Sequence, residues 1–130
     1  MTQGSILGTS KLVAFVATTD SIRARAFYEG LLGLRLVEDE QPFALVFDAN
    51  GIMLRVTAVH EHHPAPFTVL GWGVPSIEDT VERLTSAGVE FQRYPGINDG
   101  DPNAIWTAPG GARVAWFKDP DGNVLSVTQF

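Results

Sequence analysis

The sequence predicts an α+β fold made of two βαβββ units. The strongest observation is a duplicated turn, since Lys118–Val127 (KDPDGNVLSV) has a degraded copy in Phe47–Val56 (FDANGIMLRV). In both copies a glycine turn separates two short apolar runs, which is a hairpin pattern. The chain has 130 residues, 45% of them hydrophobic, which suits one domain with one core. We therefore predict a single domain over residues 1–130, with repeats at about 11–58 and 67–130.

The first repeat begins with an apolar, β-branched run over Lys11–Ala17 that predicts a strand. Apolar residues at helical spacing then predict a helix over Ser21–Leu32, with Asp20 as its N-cap. Gly33 is the expected left-handed residue that ends this helix. Three strands should follow, at Leu34–Glu38, Ala44–Asp48 and Ile52–Thr57.

The second repeat has the same order of elements. A strand is predicted at Thr68–Val74, followed by a helix capped by Ser76, with Asp79 three residues on, and ended by Gly88. The segment between Tyr94 and Gly111 is rich in turn-forming residues and predicts a long loop. The remaining strands are predicted at Glu90–Arg93, Arg113–Lys118 and Val124–Gln129.

Two βαβββ units, with Phe27–Leu34 (FYEGLLGL) after the first cap and Asp119–Asn123 (DPDGN) before the last strand, resemble the vicinal-oxygen-chelate superfamily. That superfamily includes glyoxalase I, bleomycin-resistance proteins, extradiol dioxygenases and fosfomycin-resistance enzymes. The resemblance runs from about Lys11 to Gln129. It implies a half-closed cup of mixed sheets with the helices outside, and a homodimer, but the fold alone implies no particular activity.

Similarity to glyoxalase I also implies four metal-ligand positions, which fall on Val13, Arg55, Val69 and Ser126. Valine has no donor atom, a guanidinium repels a cation, and a serine hydroxyl is a weak ligand. A slip of one residue supplies no better set, because the neighbours are Leu12, Ala14, Leu54, Val56, Thr68, Leu70, Leu125 and Val127. We expect a member without the family metal and without another cofactor.

Strand alternation places several of these residues on one lining of the cup. The lining is apolar with few polar groups, as in many small-molecule sites. Gly71 and Gly73 either leave room in it or mark a β-bulge or a close approach of two strands. Arg55 needs an anionic partner there, either a ligand carboxylate or phosphate or a protein carboxylate such as Asp48. The candidate ligand-binding residues are Val13, Phe15, Met53, Arg55, Val69, Trp106 and Ser126.

The sequence leaves alternative orientations open for two of the tryptophans. Trp106, in the long loop, is interpreted either as a lid over the pocket or as packing on its own strands or a partner chain. Trp116 and Phe117 are adjacent on one strand, so one of them faces the cup, and the sequence leaves open which. Trp72 is expected on the helix-facing side of its strand.

His60, His62 and His63 form the one histidine cluster, together with Glu61. They lie in the connection between the repeats, just before a proline-rich stretch. Only His60 and His62 could share a metal ion in an extended segment, so we interpret the cluster as a solvated linker.

The net charge of −6 and pI near 4.8 argue against nucleic-acid binding, which depends on clustered lysine and arginine. Acidity keeps a protein soluble, or attracts a cationic ligand as in bleomycin-resistance proteins. No apolar run spans a bilayer and no leader is evident, so no membrane partner and a cytoplasmic location are expected. Cysteine is absent, which excludes thiol chemistry.

The resulting hypothesis is a homodimeric protein that binds a small, partly apolar and anionic organic molecule without the family metal. No catalytic residue is assigned, because neither a metal-ligand set nor a nucleophile with its base is evident. Two alternatives remain open. One is a metal-dependent lyase, isomerase or dioxygenase, and the other is an antibiotic-sequestering resistance protein.

Overall fold

The computed structural model describes residues 4–130 and confirms the predicted α+β class. Two four-stranded mixed sheets are each accompanied by one helical segment. In chain order the elements are β1 (Val13–Thr18), α1 (Ser21–Arg25, continued by a π-helical segment at Ala26–Leu31), β2 (Arg35–Glu40), β3 (Ala44–Ala49), β4 (Ile52–Ala58), β5 (Thr68–Gly73), α2 (Ile77–Ser86), β6 (Trp106–Thr107), β7 (Arg113–Lys118) and β8 (Val124–Gln129).

The two sheets have the same topology, as the duplicated sequence predicts. Their strand orders are β1-β4-β3-β2 and β5-β8-β7-β6. In each sheet the first and last strands of the unit run parallel, and the other pairs are antiparallel. A parallel pair needs a long crossover connection, and in each unit the helix and two strands provide it.

Both predicted helix starts and both helix ends are confirmed. The Asp20 carboxylate accepts hydrogen bonds from the backbone of Ile22 and Arg23, and the Ser76 hydroxyl accepts one from the backbone of Asp79. Because a helix leaves its first N–H groups unpaired, these contacts stabilise the first turns. Gly33 and Gly88 follow the helices with φ of 80° and 102°, where a side chain would be strained.

The first helix differs from the prediction in its winding. It is α-helical only to Arg25, and the next turn is wider, so that the Leu32 N–H bonds the Phe27 carbonyl at 2.9 Å. Short π-helical turns of this kind occur inside helices, often at functional sites. Phe27 and Tyr28, in this turn, are both buried.

The predicted strand at Glu90–Arg93 is wrong. The strand ladder on this side of β7 is formed instead by β6, a two-residue strand from the long loop, which pairs with Arg113 and Val114. Gln92 contributes one backbone hydrogen bond, to the Trp116 carbonyl at 2.8 Å. The long loop therefore supplies the strand that pairs with β7, a role that the sequence pattern had predicted for Glu90–Arg93.

The core is shared by the two units. Helix α1 contacts β3 and β4, and helix α2 contacts β7 and β8, so each helix covers one face of its own sheet. Phe117 connects the units, because its ring lies 6.4 Å from that of Phe27 and 5.5 Å from that of Phe91. The opposite face of each sheet, which we call its open face, carries the remaining side chains.

Among the described residues, no helix is long and apolar enough to cross a membrane.

Candidate functional site

Four of the predicted binding residues share the open face of the first sheet. Along β1, Val13 and Phe15 are exposed, whereas Val16 on the same strand is buried in the core. Val13 is opposite Met53 on β4, and Phe15 is opposite Arg55. A cleft of about 360 Å³ adjoins Val13 and Met53. The first sheet therefore brings these four side chains together as alternation predicts.

Arg55 is paired within the chain, although not with the carboxylate that the sequence suggested. Its Nη2 lies 2.6 Å from Oε1 of Glu40, and the two side chains are 28% and 32% exposed. Asp48 instead lies 3.5 Å from the guanidinium of Arg35. The need of Arg55 for an anionic partner is thus met by the protein itself.

The open face of the second sheet carries two small residues, Gly71 and Ser126, on neighbouring strands. Gly71 is opposite Ser126 on β8, and Ser126 is opposite Trp116 on β7. A side chain at Gly71 would meet the Ser126 hydroxyl oxygen at 2.6 Å, so the two residues fit only because one lacks a Cβ. Val69 lies at an irregularity in the β5 and β8 pairing, where the register shifts between Thr68 and Leu70.

The orientation of the adjacent aromatic residues on β7 is now defined. Phe117 is fully buried in the core, and Trp116 lies on the open face, where its indole N–H donates to the Thr68 hydroxyl at 3.1 Å. Trp72 packs against the core cluster, as expected for the helix-facing side of β5.

Trp116 is the centre of an aromatic cleft. The ring of Trp106 lies 6.0 Å from it with an interplanar angle of 31°, and the ring of Tyr94 meets it edge-on at 5.6 Å. The cleft has a volume of about 370 Å³. Its lining consists of Pro66, Phe67, Thr68, Tyr94, Ile97, Trp106, Trp116 and Val124.

Trp106 belongs to this lining as part of β6, so it packs on its own sheet, which is one of the two arrangements expected from the sequence. Tyr94 and Phe67 were not among the predicted binding residues. Both flank segments rich in proline and glycine, and an aromatic residue in such a segment needs a packing partner, which was the signal available.

The long loop is held in one arrangement by two side chains. The Arg93 guanidinium donates to the carbonyls of four loop residues, at Asn98, Asp99, Asp101 and Pro102, over distances of 2.6 to 3.4 Å. The buried Asn98 side chain accepts from the Tyr94 N–H at 2.7 Å and donates to the carbonyls on either side of the loop. These bonds fix the segment between Tyr94 and Trp106, the two rings that contact Trp116.

The residues at the family's metal positions do not fit a metal ion. The open faces present a valine, a guanidinium already paired with a carboxylate, a second valine and a serine hydroxyl at Val13, Arg55, Val69 and Ser126. A divalent ion requires several oxygen, nitrogen or sulfur donors. Within residues 4–130, no three His, Asp or Glu side chains are grouped to hold a metal ion.

The histidine cluster lies in the connection between β4 and β5. His62 makes a 2.6 Å hydrogen bond through Nε2 to the side-chain oxygen of Asn123, and His63 lies 3.1 Å from the carboxylate of Glu61. The first of these contacts attaches the connection between the units to the turn before β8.

That turn, Asp119–Asn123, joins the two units. The Asp121 carboxylate accepts hydrogen bonds from the hydroxyls of Thr18 and Thr19, at 2.6 and 2.8 Å, and from the Thr19 N–H. Burial would raise the pKa of Asp121, but these bonds and the nearby guanidinium of Arg23 outweigh it, so the pKa lies below its ordinary value. The conspicuous turn motif is therefore structural in this chain.

Two mixed sheets of this topology, each with one helical face and one open face, define the class of paired βαβββ proteins. The sequence profile of the Glyoxalase/Bleomycin resistance protein/Dioxygenase superfamily matches residues 11–127. The chain belongs to this superfamily.

Solved structures of similar fold come from several bacteria. A superfamily member from Sphaerobacter thermophilus is 21% identical, with a TM-score of 0.71, over 92% of this chain and 96% of that one. The antibiotic binding protein TnmS3 from a Streptomyces species is 21% identical, with a TM-score of 0.72, over 96% and 98%. Lactoylglutathione lyase from Agrobacterium tumefaciens is 16% identical, with a TM-score of 0.66, over 93% of each chain.

These identities establish a shared fold and no shared activity. No curated protein matches the chain in sequence.

Proposed function

We propose that this protein binds a small, planar and largely apolar organic molecule on its open faces, without the metal ion used by enzymes of its superfamily. The observation that carries the proposal is the aromatic cleft, in which Trp106 and Tyr94 both contact Trp116. Offset and edge-on aromatic contacts favour a further ring in the same cleft, and apolar walls with few polar groups are typical of ligand sites.

The loop bonds support the same proposal. Arg93 and Asn98 hold two of the cleft's rings in place before any ligand arrives. A preorganised site loses little conformational entropy on binding, so more of the stacking energy contributes to affinity.

We also propose that the protein forms a homodimer in which each open face meets one from a second copy. Phe15 and Phe67 are 61% and 65% exposed, and β1 and β5 are edge strands, each paired on one side only. Exposed apolar residues beside unpaired strand edges favour association, and a second copy would convert two shallow clefts into one enclosed cup. Light scattering coupled to size-exclusion chromatography tests this, and a monomer at micromolar concentration would contradict it.

Calorimetric titration with 2-naphthamide, menadione and acridine tests the binding proposal directly. At least one compound should bind saturably, and Trp116→Ala should weaken its binding by about fivefold, as expected for loss of an aromatic contact worth roughly 1 kcal/mol. Trp72→Phe is the matched control, because Trp72 packs on the helix side of its sheet. Equal losses in both variants, or no saturable binding, would contradict the proposal.

A second candidate function is the sequestration of an antibiotic. It is supported by the aromatic cleft, by the acidic net charge of −6 and by the shared fold with TnmS3. Calorimetric titration with bleomycin, a cationic glycopeptide that carries a planar bithiazole, tests it. Saturable binding that weakens in Trp116→Ala and with added salt would support sequestration, because salt screens attraction to an acidic protein.

Elemental mass spectrometry of the untagged protein tests the metal-free part of the proposal. After dialysis without chelator, only traces of metal should remain. About one equivalent per chain would instead support a metal-dependent lyase, isomerase or dioxygenase.

A further inference from the structure

The open face of the first sheet carries an ion pair between Arg55 and Glu40. On the two strands adjacent to Arg55 the residues opposite it are apolar, namely Phe15 and Val46. The Nη2 to Oε1 distance is 2.6 Å, and both side chains remain about one-third exposed. The pair is therefore accessible from the open face and is not enclosed in the core.

The pair retains hydrogen-bonding capacity on the side that faces solvent. A guanidinium has five N–H donors, and the contact with Glu40 uses one of them. A carboxylate has two oxygens, and Arg55 contacts Oε1. A donor and an acceptor are thus available side by side.

The charges around the pair disfavour an anion. By strand register, Glu38, Glu40 and Asp48 lie on this open face together with Arg35 and Arg55. Lys11 adds a cation at the cleft beside Asp48, whereas Glu38 lies in the same row as Arg55, across Val46. An incoming carboxylate or phosphate would have to share the Arg55 guanidinium with Glu40, and two like charges at such close range repel each other. An uncharged group with an adjacent donor and acceptor could bond both members without separating them.

We infer that Arg55 and Glu40 together recognise an uncharged ligand group that carries a hydrogen-bond donor beside an acceptor, such as a carboxamide. The inference rests on the proposed function and names the chemical class of its ligand. It replaces the anionic ligand that the sequence suggested for Arg55. Arg55, at a metal position of the superfamily, then binds the polar group of the ligand together with Glu40. Phe15 and Met53 beside it contact the apolar part of the ligand.

The test compares two probes of the same shape, neutral 2-naphthamide and anionic 2-naphthoate, at pH 7. Both are titrated into ¹⁵N-labelled protein, and dissociation constants are taken from the amide shifts of Phe15 and Arg55. The wild type should bind the amide about tenfold more tightly, the size expected for one hydrogen bond to a charged group. Glu40→Gln removes the competing charge and should reverse the preference.

Glu38→Gln is the matched control. Glu38 lies two residues along β2 on the same face, so its substitution removes one negative charge without freeing Arg55. It should preserve the preference for the amide. Arg55→Gln is a second variant that does not depend on how Glu40→Gln folds. It leaves Glu40 to accept from the amide N–H and to repel the carboxylate, so it should bind naphthoate more weakly than the wild type does and keep the preference for the amide.

A wild-type preference for naphthoate would overturn the inference, as would a reversal in Glu38→Gln as large as that in Glu40→Gln. Shifts of the Trp106 and Trp116 indoles without shifts at Phe15 and Arg55 would overturn it and leave the proposed function intact. No shifts on either open face would overturn both.

Discussion

Tyr28 donates a hydrogen bond of 2.7 Å to the Asp119 carboxylate and so connects the first helix to the turn before the last strand. Tyr28 is only 1% exposed. Burial, followed by the negative charge of Asp119, raises the pKa of Tyr28 above its ordinary value of 10.0, so the hydroxyl stays a donor throughout the neutral range. This contact couples the two repeats from within their shared core, beside the bonds that Asp121 makes to Thr18 and Thr19.

Tyr28→Phe should destabilise the protein by about 1–3 kcal/mol, because it leaves a buried carboxylate without one of its donors. Asp119 keeps its bonds from Asn123 and from the backbone of Asp121, so folding should survive. Urea denaturation followed by circular dichroism measures the free energy of unfolding.

Tyr94→Phe is the control for this experiment, since Tyr94 is 36% exposed and lies in the aromatic cleft. It should change stability by less than about 0.5 kcal/mol, as is usual for substitutions near the surface. Equal losses in the two variants would contradict a specific role for the bond between Tyr28 and Asp119.

Asp121 should make the stability of the protein depend on pH in the acid range. Its pKa in the folded state is lowered below 3.8, whereas the unfolded chain has about the ordinary value. The stabilisation is therefore fully present above about pH 4 and is lost as the pH falls through the folded-state pKa. Asp121→Asn should be less stable than wild type at pH 7, and the difference should shrink at pH 3.

Urea denaturation at pH 7, 5 and 3 measures this difference. Asp99→Asn is a suitable control, because Asp99 lies in the exposed part of the long loop. A difference between Asp121→Asn and wild type that stays constant from pH 7 to pH 3 would show that the carboxylate charge does not stabilise the folded state.

Gly71→Ala should destabilise the second sheet through a contact with Ser126. The new methyl group would meet the Ser126 hydroxyl oxygen at 2.6 Å, so that side chain must move. Because only the terminal hydroxyl has to turn away, we expect a loss of about 0.5–1.5 kcal/mol, the cost of a side chain held away from its preferred rotamer. In a Ser126→Ala background the nearest remaining neighbour would be the residue 126 carbonyl at 3.5 Å, and the loss should largely disappear.

The coupling between the two substitutions is measured by a double-mutant cycle of unfolding free energies. Gly110→Ala is the control, because a methyl group there meets nothing within 4 Å. Additive effects of Gly71→Ala and Ser126→Ala would mean that the close contact is not the source of the cost.

The fold was predictable because it is recorded twice in the sequence, through the paired caps Asp20 and Ser76 and the paired terminators Gly33 and Gly88. The prediction of a strand at Glu90–Arg93 failed because the strand that pairs with β7 at this edge comes from the long loop. No local pattern shows that Trp106 and Thr107 will pair with β7, since strand pairing depends on tertiary contacts.

The partner of Arg55 was unpredictable for a related reason. A β-bulge lies in β2 between Leu36 and Glu38, and simple alternation from Arg35 would put Val37 and Asp39 on the open face. The extra residue shifts the alternation by one, which brings Glu38 and Glu40 to that face instead. A bulge leaves little mark in a single sequence. The predicted strand at Leu34–Glu38 also ended two residues before Glu40, so the partner of Arg55 lay outside it.

Arg93→Ala should loosen the aromatic cleft without removing any of its rings. The guanidinium bonds four carbonyls of the loop that joins Tyr94 to Trp106, and alanine leaves those carbonyls to water. Opening of the loop then no longer has to break these bonds and costs less free energy. Amide hydrogen exchange over residues 94–105 should therefore accelerate at least several-fold. Binding of 2-naphthamide to the aromatic cleft, followed by the indole signal of Trp116, should weaken by roughly 2- to 10-fold, the cost of ordering one or two side chains on binding. Arg83→Ala, on helix α2, should change neither quantity, and unchanged exchange in Arg93→Ala would mean that Asn98 alone orders the loop.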